Sequence, residues 1–328
     1  MSSMPLFFVH IPKTAGTSFR QGAERYFSPE RIVYDYGEDS ETTSALVTQT
    51  LYADQPDFWQ FKRALFAESP AMLGGHVSIA RFASLLGVGS TLTFLRDPLQ
   101  RTASEYAHFV RHMNYKGSFR EFYSRPAMHN RHRKLLRGVN IEAIGLVGLT
   151  ERYSESLEML NSHFGTRIPR RKDNRGKPRL QAEHKLDKED VAELTRLNKR
   201  DIALYQQAAA LFDTRYTMFK ANQPWAHARL VEASVQRISG WAWWQGGRDQ
   251  CLRDEPVEVE LWVNGELIGT VRSVELLPKL CHMLPPRGGY VGFHLPVKLS
   301  PGDQVQCRVA STGQWFPPSP RRVIKPST

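Results

Sequence analysis

Pro12-Lys13-Thr14-Ala15-Gly16-Thr17-Ser18 packs a lysine, three hydroxyls and a glycine into one short run. Those residue types suit an anion. When a glycine-containing turn opens a helix, the backbone amides of Thr14, Ala15, Gly16, Thr17 and Ser18 point at negative charge, hydroxyls add donors, and Lys13 neutralises a leaving group. In a Walker loop the lysine follows a longer glycine-rich turn and is itself followed by the hydroxyl residue. Here it precedes the glycine. That order speaks against a nucleotide-dependent kinase, which would also need a magnesium-binding acid.

A second constellation lies at Arg96 and Ser104. Leu92 to Leu95 reads as a buried strand ending at Arg96, and Asp97 then caps a helix with Pro98 in its first turn. Ser104 lies two helical turns beyond Asp97 and therefore on the same side. An arginine fork with a hydroxyl suits a terminal phosphate.

The third candidate is His76, in Gly74-Gly75-His76-Val77-Ser78 after the strand-like Ala71 to Leu73. A neutral imidazole at a strand end is placed to accept the proton of an attacking hydroxyl. Glu68, just before that strand, is the alternative base. The chain has 11 histidines, so position decides among them. His10 sits within the first strand and reads as a packing or supporting residue. His108, His112, His129 and His132 lie among arginines and are expected to face solvent.

In its order of residues, the Lys13 to Ser18 run resembles the 5'-phosphosulfate loop of sulfotransferases that use 3'-phosphoadenosine 5'-phosphosulfate (PAPS). The likeness is to carbohydrate sulfotransferases of the heparan sulfate 2-O-sulfotransferase group. Arg96 to Tyr106 resembles that family's 3'-phosphate motif, Gly75-His76-Val77 its catalytic histidine segment, and Val147-Gly148-Leu149-Thr150-Glu151 a further family string. Asn198, Asp201, Leu204 and Tyr205 resemble its closing helix, so the resemblance covers about the first 220 residues. It implies transfer of a sulfuryl group from PAPS to a hydroxyl of an oligosaccharide or polysaccharide. It also implies that Lys13 contacts the bridging oxygen of the departing nucleotide, that Arg96 and Ser104 hold the 3'-phosphate, and that His76 is the base. The sugar, the position sulfated and even a protein tyrosine acceptor stay open.

The formal net charge of +11 over 328 residues favours anionic partners, among them nucleotides and carboxylated or sulfated glycans. A basic binder of polyanionic glycan or nucleic acid without turnover is the rival reading. Nucleic acid is not expected as a partner, and oligomeric state stays open. From Gly165 to Arg179 seven basic residues face one acid; such a loop either closes over the nucleotide, meets an anionic glycan, or is simply solvated. Cys251, Cys281 and Cys307 have neither disulfide-scaffold nor metal-ligand spacing, and no metal is expected. No apolar run approaches the roughly 20 residues of a membrane span, and the first residues do not read as a signal peptide. The expected location is the cytoplasm.

These residues need strands to present them. Leu6 to Ile11, Ala71 to Gly74, Leu92 to Leu95 and Ile144 to Leu149 read as short buried strands separated by helical patterns. This is an α/β, P-loop-like domain whose parallel sheet carries ligands at its carboxyl edge. Thr150 is expected to cap the helix after the fourth strand. One long helix is expected from Asp187, capped by Asp187 with Asp190 reaching back, through Val191, Leu194, Leu197, Ile202, Tyr205 and Ala209. Ala221-Asn222-Gln223-Pro224 reads as a linker, dividing residues 1–222 from residues 223–328. Beyond it lie six of the seven tryptophans, and Val257 to Val263 alternates up to an Asn264-Gly265 hairpin turn. Gly240 to Trp244, Leu267 to Val271, Tyr290 to Val297 and Val305 to Ala310 complete a small antiparallel β-sandwich. Trp241 and Trp243 share one strand face and either fill a core or stack on sugar.

Overall fold

The computed structural model describes residues 4–170, 184–245 and 254–324. Parallel strands β1 (Leu6–Val9), β2 (Ile32–Asp35), β3 (Met72–Gly75), β4 (Thr91–Leu95) and β5 (Leu146–Leu149) form one sheet in the order β2-β3-β1-β4-β5. All five are buried along their whole length. That is the signature of a parallel sheet covered on both faces, and it is why the strands read as continuous apolar runs. The covering helices are α1 (Gly16–Phe27), α2 (Ala45–Leu51), α3 (Phe58–Glu68), α4 (Ile79–Leu86), α5 (Pro98–His112), α6 (Phe119–Tyr123), α7 (Arg131–Leu135), α8 (Tyr153–Phe164), α9 (Lys188–Leu197) and α10 (Lys199–Lys220).

The sheet order matters more than the element count. The chain runs from β3 to β4 across β1, so β3, β1 and β4 lie side by side although their residues are far apart in sequence. With strands about 4.8 Å apart, groups leaving their carboxyl ends fall within about 10 Å. Gly75 lets β2 and β3 approach, since a Cβ there would stand 1.8 Å from the Asp35 carbonyl oxygen.

Three expectations need correction. β2 was not anticipated; its Ile32-Val33-Tyr34 is short and lies at the sheet edge. The helix from Asp187 is two helices, because Asn198 closes α9 and the Asn130 side chain accepts from the Arg200 and Asp201 amides to open α10. Asp187 caps as expected by accepting from the Asp190 amide at 2.7 Å, but Asp190 itself accepts from the Tyr123 hydroxyl. Thr150 caps nothing. Its hydroxyl donates to the Leu95 carbonyl at 3.0 Å and ties β5 to β4.

After α10 ends at Lys220, the chain builds two antiparallel sheets. One runs β10 (Glu275–Leu276), β11 (Tyr290–Pro296), β7 (Arg237–Trp244), β6 (Ala226–Ala233); the other runs β13 (Arg321–Arg322), β12 (Gln304–Val309), β8 (Glu258–Val263), β9 (Glu266–Arg272). Asn264 and Gly265 both have positive φ, at 50° and 89°, as a two-residue hairpin turn requires. On β7, Ile238, Ala242 and Trp244 enter the core between the two sheets. Trp241 and Trp243 face the other way, stacked at 4.5 Å, and join the core of the parallel-sheet region. They fill a core. Cys251 and most of the basic 165–179 stretch lie outside the described residues.

Candidate active site

Between β1 and α1 the backbone is strained. Lys13 and Ala15 hold φ of 67° and 65°, left-handed values that cost a non-glycine residue roughly 1 to 2 kcal/mol each. Helix α1 begins at Gly16 with no side-chain cap and no acid in its first turn, which leaves its first amides for an anion. Of the hydroxyls, Thr14 is fully buried and donates to the Ile11 carbonyl at 2.9 Å, so it shapes the turn. Ser18 is buried and Thr17 exposed. Gly16 admits no side chain, because a Cβ would lie 2.0 Å from the His10 ring.

Arg96 leaves the end of β4, buried, and its Nη1 reaches the Lys13 carbonyl oxygen at 3.5 Å. The two sequence motifs therefore meet. Asp97 caps α5 by accepting from the Leu99 and Gln100 amides at 3.0 and 2.9 Å. Glu151 reaches across from the end of β5 to accept from the Asp97 amide, while Tyr205 on α10 donates to its other oxygen. Ser104 is half-buried, two turns along α5. Its neighbour Glu105 is buried, ion-paired with Arg101 at 2.5 Å, and Arg131 lies 3.7 Å from its second oxygen.

Burial pulls Lys13 below the ordinary lysine value; Glu105 counteracts this, and Arg96 and Arg111 add to the lowering. His108 and His184 are likewise lowered, chiefly by burial, with Lys13 contributing to both and Arg96 to His184. Glu105, His108, Arg111 and His184 thus belong to the charged surround of Lys13. Sequence reading gave none of them this role, because their own neighbours gave no sign of it.

His76 follows β3 and keeps an exposed edge. Its Nδ1 stands 2.6 Å from the His10 carbonyl oxygen. A carbonyl only accepts, so Nδ1 carries the hydrogen and Nε2 keeps its lone pair in the neutral ring. Burial of the rest of the ring holds its pKa below 6.5, opposed by that hydrogen bond. Glu68 ends α3 before β3 begins. In a parallel sheet that is the amino edge, away from Lys13 and Arg96, so Glu68 is no alternative base. The expectation that four histidines face solvent holds for His112, which is exposed, but fails for His132, fully buried beside Asp201, while His108 and His129 are half-buried, His129 held at 2.8 Å from the Tyr123 carbonyl oxygen.

Among the described residues no helix is long and apolar enough to cross a membrane, and no group of three or more His, Cys, Asp or Glu is arranged to hold a metal. No family model and no curated protein matches this chain. Among solved structures, a sulfotransferase from Alicyclobacillus acidocaldarius is similar at 18% identity and a TM-score of 0.35, over 64% of this chain and 96% of that one.

Proposed function

We propose that the chain is a sulfotransferase moving the sulfuryl group of PAPS onto a carbohydrate hydroxyl. The observation that carries this reading is the meeting of Lys13, Arg96 and His76 at the adjacent carboxyl ends of β1, β4 and β3. Two cations and an open helix start suit a nucleotide with phosphates at both ends, and His76, its Nε2 left as an acceptor by the bond at Nδ1, follows the adjacent strand β3.

In this reading the amides from Gly16 to Ser18 and the Lys13 ammonium hold the 5'-phosphosulfate, and Arg96 with Ser104 holds the 3'-phosphate. His76 Nε2 takes the proton of the acceptor hydroxyl as its oxygen bonds to sulfur. Lys13 stabilises the phosphate oxygen released when the old sulfur–oxygen bond breaks. The balance needs no further reactant. Residues 1–222 would bind the nucleotide, residues 223–328 would be an accessory module, and the site of action would be the cytoplasm.

The test is a melting comparison with 3'-phosphoadenosine 5'-phosphate and AMP, since a ligand that binds only the folded state stabilises it. The first should raise the melting temperature more. Arg96→Ala should erase most of the difference, a charge-assisted bond being worth about 1.5 to 3 kcal/mol. Equal shifts from both nucleotides in the unmodified protein would sink the assignment. Incubation with labelled PAPS and a glycan panel then separates turnover from mere binding.

A further inference from the structure

His10 adjoins both halves of the site. Its ring packs 4.3 Å from the His76 ring, centroid to centroid, and its carbonyl accepts from His76. The same ring occupies the space that a side chain at Gly16 would need, so it also abuts the start of the anion cradle. His10 Nδ1 lies 2.9 Å from the Tyr36 hydroxyl, and the Arg20 guanidinium lies over the Tyr36 ring, 5.8 Å from its centroid.

The proton directions along this chain follow from chemistry. The Tyr36 O–H can donate to His10 Nδ1, and with the Arg20 cation near that oxygen and opposing a positive charge on His10, this direction keeps the ring neutral. In that arrangement His10 is the neutral Nε2–H tautomer, opposite to the Nδ1–H tautomer of His76. We propose that His10 is a positioning residue for the base, its carbonyl fixing the His76 tautomer and its ring, kept neutral by the Tyr36 hydroxyl and the neighbouring Arg20 cation, leaving the pair's proton to His76.

Two imidazoles in contact do not readily hold two charges. The charged groups around them agree on which ring stays neutral. His10 is buried and faces Lys13, Arg20 and His76, all of which oppose a positive charge on it. His76 faces Arg20 and Arg131, but it also faces Glu105 and the His10 carbonyl, which favour its charged form. A proton taken from the acceptor therefore rests on the ring with an exposed edge, from which it can pass to solvent.

The inference rests on the sulfotransferase reading for its catalytic meaning, but its first test does not need turnover. In nitrogen-15 histidine spectra of the whole chain, His76 should show the Nδ1–H form, His10 the Nε2–H form, and His76 should take up protons at higher pH than His10. In Tyr36→Phe the His10 apparent pKa should rise by about one unit, as expected when a hydrogen bond to the neutral form is lost. The acid limb of transfer should then move upward by about half a unit, because the coupled pair takes its first proton sooner. A folded Tyr36→Phe variant with unchanged histidine titration, or an Nδ1–H form of His10 in the unmodified protein, overturns the proposal. Absence of transfer by the unmodified protein overturns the sulfotransferase reading instead, and leaves the tautomers to be judged by the spectra.

Discussion

Charged groups are buried in two places, the carboxyl edge of the parallel sheet and the seam where the β-sandwich docks, and they are treated differently. At the seam Arg215 donates to the Glu142 carbonyl at 2.8 Å and stacks over Trp225 at 4.2 Å. The Glu142 carboxylate pairs with Arg229 and accepts from Gln207. At the edge, Lys13 has no carboxylate within ion-pair distance among the described residues, and Arg96 reaches only a backbone carbonyl, at 3.5 Å. Burying a cation without a close partner is costly. The seam spends its charges on structure, whereas the edge leaves its cations without such partners, as the proposed nucleotide site would require, and strained backbone at Lys13 and Ala15 marks the same spot.

The contrast breaks first at His76. His76→Ala should lose about 10² to 10⁴ in transfer rate, the usual worth of a positioned base, while calorimetry shows nearly unchanged affinity for 3'-phosphoadenosine 5'-phosphate. Lys13→Ala should weaken that affinity as well as slow transfer. A folded His76→Ala enzyme keeping more than about a tenth of normal turnover rules out the base role.

Next comes the seam. Trp241 is buried against Trp243 and the parallel-sheet core. Trp241→Ala should therefore cost about 3 to 5 kcal/mol in urea unfolding, as large-to-small core changes do. Trp315 is 42% exposed on the sandwich. Trp315→Ala should cost about 1 kcal/mol or less. Equal costs at the two positions would mean that the seam is not a shared core.

The smallest effect is in pH. Burial holds His10, His76 and His132 below the unfolded value of about 6.5. Their contribution to stability is complete above that pH and is lost as pH falls through the folded values, because only the unfolded chain binds the protons readily. His132→Leu should flatten the fall in urea midpoint between about pH 7 and 5. A slope unchanged by that substitution would show that His132 is not kept neutral.

Much of the proposed site was legible because its signals are local. Lys13 to Ser18 and Arg96 to Ser104 each follow a strand, and a strand end, a turn and a helix start are written in adjacent residues. The alternation of Val257 to Val263 and the Asn264-Gly265 turn were legible for the same reason. The failures are non-local. The break at Asn198 depends on Asn130, and the burial of His132 depends on α10 lying across α7. Thr150 spends its hydroxyl on another strand. Glu68 is near His76 in sequence, but the direction of β3 puts it at the other edge of the sheet.

The sequence by itself determined most of the elements and put forward Lys13 to Ser18 and His76 as candidates, because hydrophobic period and turn chemistry act within a few residues. The tertiary structure decided the rest. Only the order β3-β1-β4 brings His76, Lys13 and Arg96 to one edge. Only the contact of the His10 carbonyl with His76 selects which ring nitrogen is free. Only the docking of β7 turns Trp241 and Trp243 into core. Each depends on groups far apart in the chain, whose meeting is settled by which surfaces can be buried together.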